Sequence, residues 1–256
     1  MNEQIAEWFA DEAFWQEIYP FIFSESRLAA ADTEIGQVMQ LTGVQAGQGL
    51  DLCCGPGRHS LALARRGFQV TAVDRTPFLL QKARDNADQA ALPIDFVLED
   101  MRRFRRPDAF DLVINIFTSF GYFADKADDV AVLNLVHHNL RPGGTVLLEL
   151  MSKEWLARNF QLTASMKHPD GALLIQRHEI IDDWSRVKNE WIVIRDGRVV
   201  QTFEFALRVY SGQELKDLMT ASGFGEIKLY GSLDGRPYGL DVQRLVVVAR
   251  KSTNAP

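Results

Sequence analysis

The chain has 256 residues, 46% of them hydrophobic and 24% charged, a composition of folded globular proteins and not of disordered or fibrous ones. Its formal net charge of −6 argues against a nucleic-acid partner, which favours a basic face. No apolar run approaches the roughly 20 residues that span a bilayer. The start, MNEQIAEWFADEAF, lacks the basic end and apolar core of a secretory signal, so a cytoplasmic location is expected. Cys53 and Cys54 are neighbours with no other cysteine to pair with, which predicts reduced thiols.

Residues 1–44 read as an aromatic, helical lid. An apolar stripe of Ile5, Phe9, Phe14, Trp15 and Ile18 predicts a helix with a break at Pro20, and a second helix is expected over 29–42. Tyr19 and Arg27 are its polar groups available to a ligand. Residues 45–151 then alternate strand and helix. Strands are expected at 49–53, 69–74, 94–98, 111–116 and 145–150, with helices at 58–66, from Pro77, and at 128–140. Gly67 reads as a left-handed helix end, and Thr76-Pro77 as a cap followed by a proline at the first helical position. Arg141-Pro142-Gly143-Gly144 reads as the turn into the fifth strand. Such alternation predicts a doubly wound parallel sheet, an α/β fold.

The rhythm changes after Met151. A short helix over 153–159 leads into three β-rich runs, 172–182, 186–195 and 199–210, the last two joined by the hairpin signal Asp196-Gly197-Arg198. Residues 152–210 are thus an antiparallel β insert. Ser211 and Glu214 form a capping box that opens a helix stopping at Gly223. Runs at 226–230 and 242–251 complete the sheet in a segment spanning 211–256, with a frayed tail, STNAP.

The chemistry concentrates in Leu50 to Asp74, LDLCCGPGRHSLALARRGFQVTAVD, a strand, glycine turn, helix and strand with an acid at each strand end. This unit holds a nucleotide-like ligand at the carboxyl edge of a sheet. The turn is an incomplete GxGxxG, its third position being Ser60. Asp51 would repel a pyrophosphate, and Pro56 removes a backbone N–H from a phosphate cradle, which argues against a dinucleotide cofactor. A ligand without phosphate is expected, and S-adenosylmethionine fits. Asp74 can accept ribose hydroxyls, and Asp100 the adenine amino group, with Met101 beside it.

These features, with EDM at 99–101, DLVINIF and RPGG, resemble a class I S-adenosylmethionine-dependent methyltransferase over residues 45–151. The resemblance implies a Rossmann-like seven-stranded sheet of order 3-2-1-4-5-7-6 with strand seven antiparallel. It also implies cofactor contacts from Arg27, Asp51, Cys53, Gly55, Gly57, Asp74, Arg75, Asp100, Met101, Asn115 and Phe117. The loop Phe117 to Phe123 resembles that of bacterial small-molecule methyltransferases, including amino-sugar N,N-dimethyltransferases and glycine N-methyltransferase-like enzymes, but no matched catalytic histidine is present. Tyr19 and Tyr122 are the expected catalytic pocket residues. His59, His178 and Tyr210 are lesser candidates for a base, and no metal site is indicated. The expected activity is methyl transfer to a nucleophilic N, O or S atom of a small molecule. The alternatives are a non-catalytic S-adenosylmethionine-binding protein and an RNA or protein methyltransferase using the Arg102 to Arg106 cluster.

Overall fold

The computed structural model describes residues 7–253. The expectations for Ile5 and for the end of the tail, residues 254–256, fall outside them. A 3-10 turn at Trp8–Ala10 precedes two helices, α1 (Glu12–Ile22) and α2 (Glu25–Thr42). Asp11 and Ser24 cap them by accepting backbone N–H bonds from Ala13 and Arg27. Pro20 does not break α1. It falls two residues from the helix end at Ile22, where its missing N–H costs one bond, and the Phe23 amide still closes on Tyr19.

The core follows as β1 (Gln48–Leu52), α3 (Arg58–Arg65), β2 (Gln69–Asp74), α4 (Pro77–Gln89), β3 (Ile94–Leu98), β4 (Phe110–Asn115), α5 (Lys126–Asn139) and β5 (Leu140–Met151). The Arg141 to Gly144 stretch is not a turn before β5 but lies within it. Phe110 pairs with Leu140 and Leu112 with Thr145, so the extra residues form a bulge. Gly144 fits there because a Cβ would meet the Arg141 and Phe110 carbonyls at 2.9 and 3.0 Å. Thr76 makes no side-chain cap; Asp74 caps α4 instead.

Beyond β5 come α6 (Lys153–Asn159) and a separate four-stranded antiparallel sheet: β6 (Thr163–Lys167), β7 (Leu173–Ile181), β8 (Arg186–Arg195) and β9 (Arg198–Arg208). β6 adds a strand that the sequence pattern did not suggest. The β8–β9 hairpin turns at Asp196 and Gly197, both at positive φ (51° and 72°), as a two-residue loop requires. The capping box at Ser211 and Glu214 opens α7 (Gly212–Ala221). The last strands are β10 (Phe224–Tyr230) and β11 (Arg244–Lys251).

The main sheet has order β3-β2-β1-β4-β5-β11-β10, with β1 to β5 parallel and β11 antiparallel to both neighbours. This is the order the resemblance implied. One apolar layer joins α2 and α3 to one sheet face. The other joins α5, α7, the lid and the insert to the opposite face. The lid and insert therefore converge over the carboxyl ends of β1 to β4.

Candidate active site

A cavity of about 520 Å³ lies at that convergence, within the size range of small-molecule sites. Its floor is the glycine turn after β1. Cys53 (φ 63°), Gly55 (φ 55°) and Gly57 (φ 80°) bend the chain sharply into α3. The Gly55 α-carbon faces the Phe23 ring of the lid, which a Cβ would meet at 3.5 Å. Gly57 has a different task. A Cβ there would come within 2.9 Å of the Ala83 methyl, so glycine lets α3 approach α4.

Asp74, at the tip of β2, ties this turn in place. Its Oδ2 accepts from the Gly55 N–H at 2.8 Å and its Oδ1 from the Thr76 N–H at 2.9 Å. Burial pushes its carboxyl up from the ordinary range, against the pull of these two amides. The pre-set amides orient the carboxylate before any ligand arrives.

Asp100, at the tip of β3, is already engaged. Arg102 holds it through Nε to Oδ1 (3.1 Å) and Nη2 to Oδ2 (2.7 Å), and Arg75 approaches Oδ2 at 3.2 Å. Burial alone would raise the Asp100 carboxyl, but the Arg102 bonds and charge outweigh it and hold it below the usual range. Glu7 of the lid bridges the same two arginines, to Arg75 at 2.7 Å and Arg102 at 3.1 Å. Arg75 also stacks over Phe9, and Arg102 over Phe123. Arg106 pairs with Asp95 at 2.6 Å. Two members of the arginine cluster are therefore committed to carboxylates within the fold.

Of the residues expected to touch a cofactor, Arg27, Cys53, Gly55, Asp74, Arg75, Asp100, Met101 and Phe117 line the cavity, and Asp51, Gly57 and Asn115 do not. Asp51 is buried beneath the turn, where the Ser60 hydroxyl donates to it at 2.5 Å. Ser60 at the third glycine position thus satisfies a buried acid. Asn115 donates to the Leu52 carbonyl at 2.9 Å and fastens β4 to β1. The Cys53 thiol lies 3.4 Å from the Met101 sulfur, and burial together with Asp74, Asp100 and Asp51 pushes it well up, so it stays neutral.

The structure brings Tyr122 to the cavity and Tyr19 away from it. Tyr19 packs on Phe23 and on Phe78 of α4. Tyr122 packs against Trp8 with ring centroids 4.6 Å apart and planes tilted by 50°, and burial pushes its phenol far above the ordinary range. Tyr210 is likewise off the cavity, donating to Asp129 at 2.7 Å, and His178 is bonded to the Gln161 carbonyl. His59 does reach the wall, where its Nε2 meets Glu34 at 2.7 Å. Among the described residues no cluster of histidine, cysteine and acids could hold a metal.

Sequence reasoning missed a polar group at the opposite end: Glu34 with Arg58, and Glu149 with Arg244, both pairs on the cavity wall. These partners lie on elements distant in the chain, and no local spacing announces them. It also missed Trp191 and Phe205 of the insert, which join Trp8, Phe14 and Trp15 in an aromatic end of the same cavity.

Residues 50–144 match the family described as a methyltransferase domain. The putative methyltransferase YqeM of Bacillus subtilis (strain 168) is 26% identical over 212 residues, 81% of this chain and 85% of that protein. A crystal structure of an S-adenosylmethionine-dependent methyltransferase from Clostridium acetobutylicum ATCC 824 superposes with TM-score 0.78 at 17% identity, covering 94% of this chain and 98% of the other. This chain carries a methyltransferase domain, in the fold of S-adenosylmethionine-dependent methyltransferases. The dTDP-3-amino-3,4,6-trideoxy-α-D-glucopyranose N,N-dimethyltransferase of Streptomyces venezuelae is a further relative of the methyltransferase, 24% identical over 215 residues, 81% of this chain and 88% of that enzyme.

The side chains suit the cofactor. Two acids stand at the tips of β2 and β3, the cation that follows the glycine turn, Arg58, is already paired with Glu34, and a half-buried guanidinium also faces the cavity. That group, Arg27, donates to the Ile22 carbonyl at 2.5 Å and has no carboxylate partner among the described residues. Burial, Arg58 and Arg244 lower its affinity for its proton, and the charges of Glu34 and Glu149 offset this only in part.

Proposed function

We propose that the protein methylates a small, largely apolar molecule at an N, O or S atom, the acceptor lying beneath the aromatic lid. The observation that carries this reading is continuity. The acidic cofactor end and the aromatic end formed by Trp8, Phe14, Trp15, Tyr122, Trp191 and Phe205 are one cavity. Asp74 would accept the ribose hydroxyls, Asp100 and Met101 would flank the adenine, Gly55 would allow close approach, and Arg27 would hold the tail carboxylate. Cys53, Arg75 and Phe117 complete that wall; Asp51, Gly57 and Asn115 support it from behind. When bound, S-adenosylmethionine supplies a methyl carbon activated by a sulfonium.

The chain's own task is to orient the acceptor and exclude water. The lid closes the cavity on one side through Phe23 over Gly55 and the insert on another through Trp191 and Phe205. Tyr122 keeps its proton, because burial opposes the phenolate, so it orients by hydrogen bonding and is no base. His59, the one histidine lining the cavity among the described residues, is bonded to Glu34 at the polar end. An acceptor whose nucleophile is already free of its proton suits this wall best.

Incubation of the protein with labelled S-adenosylmethionine and fractionated cell extract tests the reading. Release of S-adenosylhomocysteine with a small-molecule fraction is expected. Cofactor binding without release from any fraction would establish a non-catalytic binder, and release with RNA or protein alone would move the acceptor to a macromolecule.

A further inference from the structure

At the carboxyl end of β4, two adjacent residues other than glycine adopt the left-handed conformation, Phe117 (φ 77°) and Thr118 (φ 62°). A Cβ opposes this conformation, and a β-branched residue such as threonine resists it most, so the surroundings must impose it. The surroundings are largely one residue, through its side chain and its backbone. The Phe117 N–H donates to Glu149 Oε2 at 3.0 Å, and the Thr118 N–H to the backbone carbonyl of Glu149, also at 3.0 Å. Both amides of the strained pair thus end on Glu149 of β5.

Arg244 fixes the carboxylate. Its Nε donates to Glu149 Oε1 at 2.9 Å and its Nη2 to Thr118 Oγ1 at 3.3 Å. The antiparallel pairing of β11 with β5 sets Glu149 opposite Val246, which brings Arg244 within reach of it along the ladder. All four residues line the cavity. The Phe117 ring they present lies under the guanidinium of Arg27 at 4.5 Å and that of Arg58 at 5.5 Å. The turn therefore aims one ring at the cofactor end and opens the loop that carries Tyr122.

We infer that Glu149 is a positioning residue: its carboxylate, held by Arg244, imposes the left-handed turn at Phe117-Thr118 and so sets affinity for the cofactor. This rests on the cofactor reading above. Each carboxylate oxygen of Glu149 accepts from one donor, Oε2 from Phe117 and Oε1 from Arg244.

Calorimetric titration of S-adenosylhomocysteine into the full chain and its variants tests the assignment. The wild type should bind; if it does not, the cofactor reading fails, and the inference with it. Glu149→Ala should bind about tenfold more weakly or worse, the scale of one lost charge-assisted hydrogen bond to a buried amide. Glu149→Gln keeps an acceptor for the Phe117 amide and should stay within about threefold of the wild type. Adding Thr118→Gly to Glu149→Ala should restore part of the affinity, because glycine removes the steric cost at one of the two left-handed positions. A merely structural role would lower the melting temperature of Glu149→Ala with affinity unchanged, and that result overturns the inference. So does a folded double variant that binds as weakly as the single one, or a glutamine variant as weak as the alanine. Should Glu149→Ala fail to give a cooperative melt, recovery of folding and binding in the double variant supports the inference, and its failure to bind when folded refutes it.

Discussion

At the scale of single residues, the two aspartates of the opening strand-turn-strand unit do different work. Asp74 faces the cavity and holds the glycine turn on one oxygen and the start of α4 on the other, whereas Asp51 faces away and is satisfied by Ser60. Asp74→Ala is expected to weaken S-adenosylhomocysteine binding more than tenfold, since it removes a charge-assisted contact worth about 1.5–3 kcal/mol and frees the Gly55 amide. Asp51→Asn keeps an acceptor for Ser60 and touches no ligand, so affinity should change less than about threefold. Titration calorimetry on the two variants checks the contrast, and equal losses would put Asp51 in contact with the cofactor. The sequence places an acid at the end of each strand but is silent on its direction. A one-residue change along a strand turns a side chain to the opposite face, and only the sheet register decides it.

At the scale of elements, most of the core was legible and the lid and insert were only partly so. Parallel strands with apolar runs, the glycine turn and the capping box are local signals, and they mark the core elements to within about two residues except at β5, which begins five residues before the expected Thr145. β6 was not legible, because its residues, Thr163 to Lys167, are mostly exposed and offer only Ala164 and Met166 as apolar positions. The bulge at Arg141 to Gly144 escaped for a related reason: proline and glycine suggest a turn, while pairing with β4 keeps the segment in the sheet. The roll of N-terminal aromatics announces a cover but not its partners. Those partners are the insert: Phe14 contacts Trp191, Phe203 and Phe205 by ring, at 6.0, 5.1 and 5.4 Å, while Tyr19 on the same helix packs on α4. The ion pair of Glu17 with Arg195 adds a polar tie on the same side. α1 is accordingly wedged between insert and core. Phe14→Ala should cost about 3–5 kcal/mol, seen as a lower urea midpoint. It should also expose the segment before α2 to limited proteolysis ahead of the rest of the chain. Cleavage spread evenly over the chain would mean that the lid is not a separate layer.

At the scale of the whole molecule, the insert is joined to the core by a buried polar cluster behind the cavity. Asp129, in the first turn of α5, is wholly buried. It accepts from the Tyr210 hydroxyl at 2.7 Å and from Arg208 Nε at 3.1 Å, both at the end of β9. Arg208 further donates through its amide to the Gly121 carbonyl at 2.7 Å and through Nη2 to Ala124 at 3.0 Å. Gly121 is required at this crossing, since a Cβ there would meet the Arg208 carbonyl at 2.7 Å. The loop carrying Tyr122 and the return strand of the insert are thus fastened together at one carboxylate. Burial, and to a lesser degree the charge of Asp128, raises the Asp129 carboxyl to about 6, against the pull of Tyr210 and Arg208. Because the folded value lies above the unfolded one, the folded state takes up the proton first as pH falls. Ionised Asp129 therefore costs stability above about pH 6, and the cost is relieved between pH 6 and 4, at no more than about 1.4 kcal/mol per pH unit. Carboxylates held low by their partners, such as Asp100 and Glu34, work in the opposite sense and lose their contribution at more acidic pH. The measurement must therefore be a difference. Melting curves of the wild type and of Asp129→Asn at pH 7 and pH 5 should show the wild type gaining on the variant by about 1–2 kcal/mol on acidification. A difference that does not change with pH would show that Asp129 does not titrate in this range. The direction follows from the cluster's geometry: two donors share one carboxylate oxygen, the other oxygen has no partner among the described residues, and a proton on it relieves a buried charge.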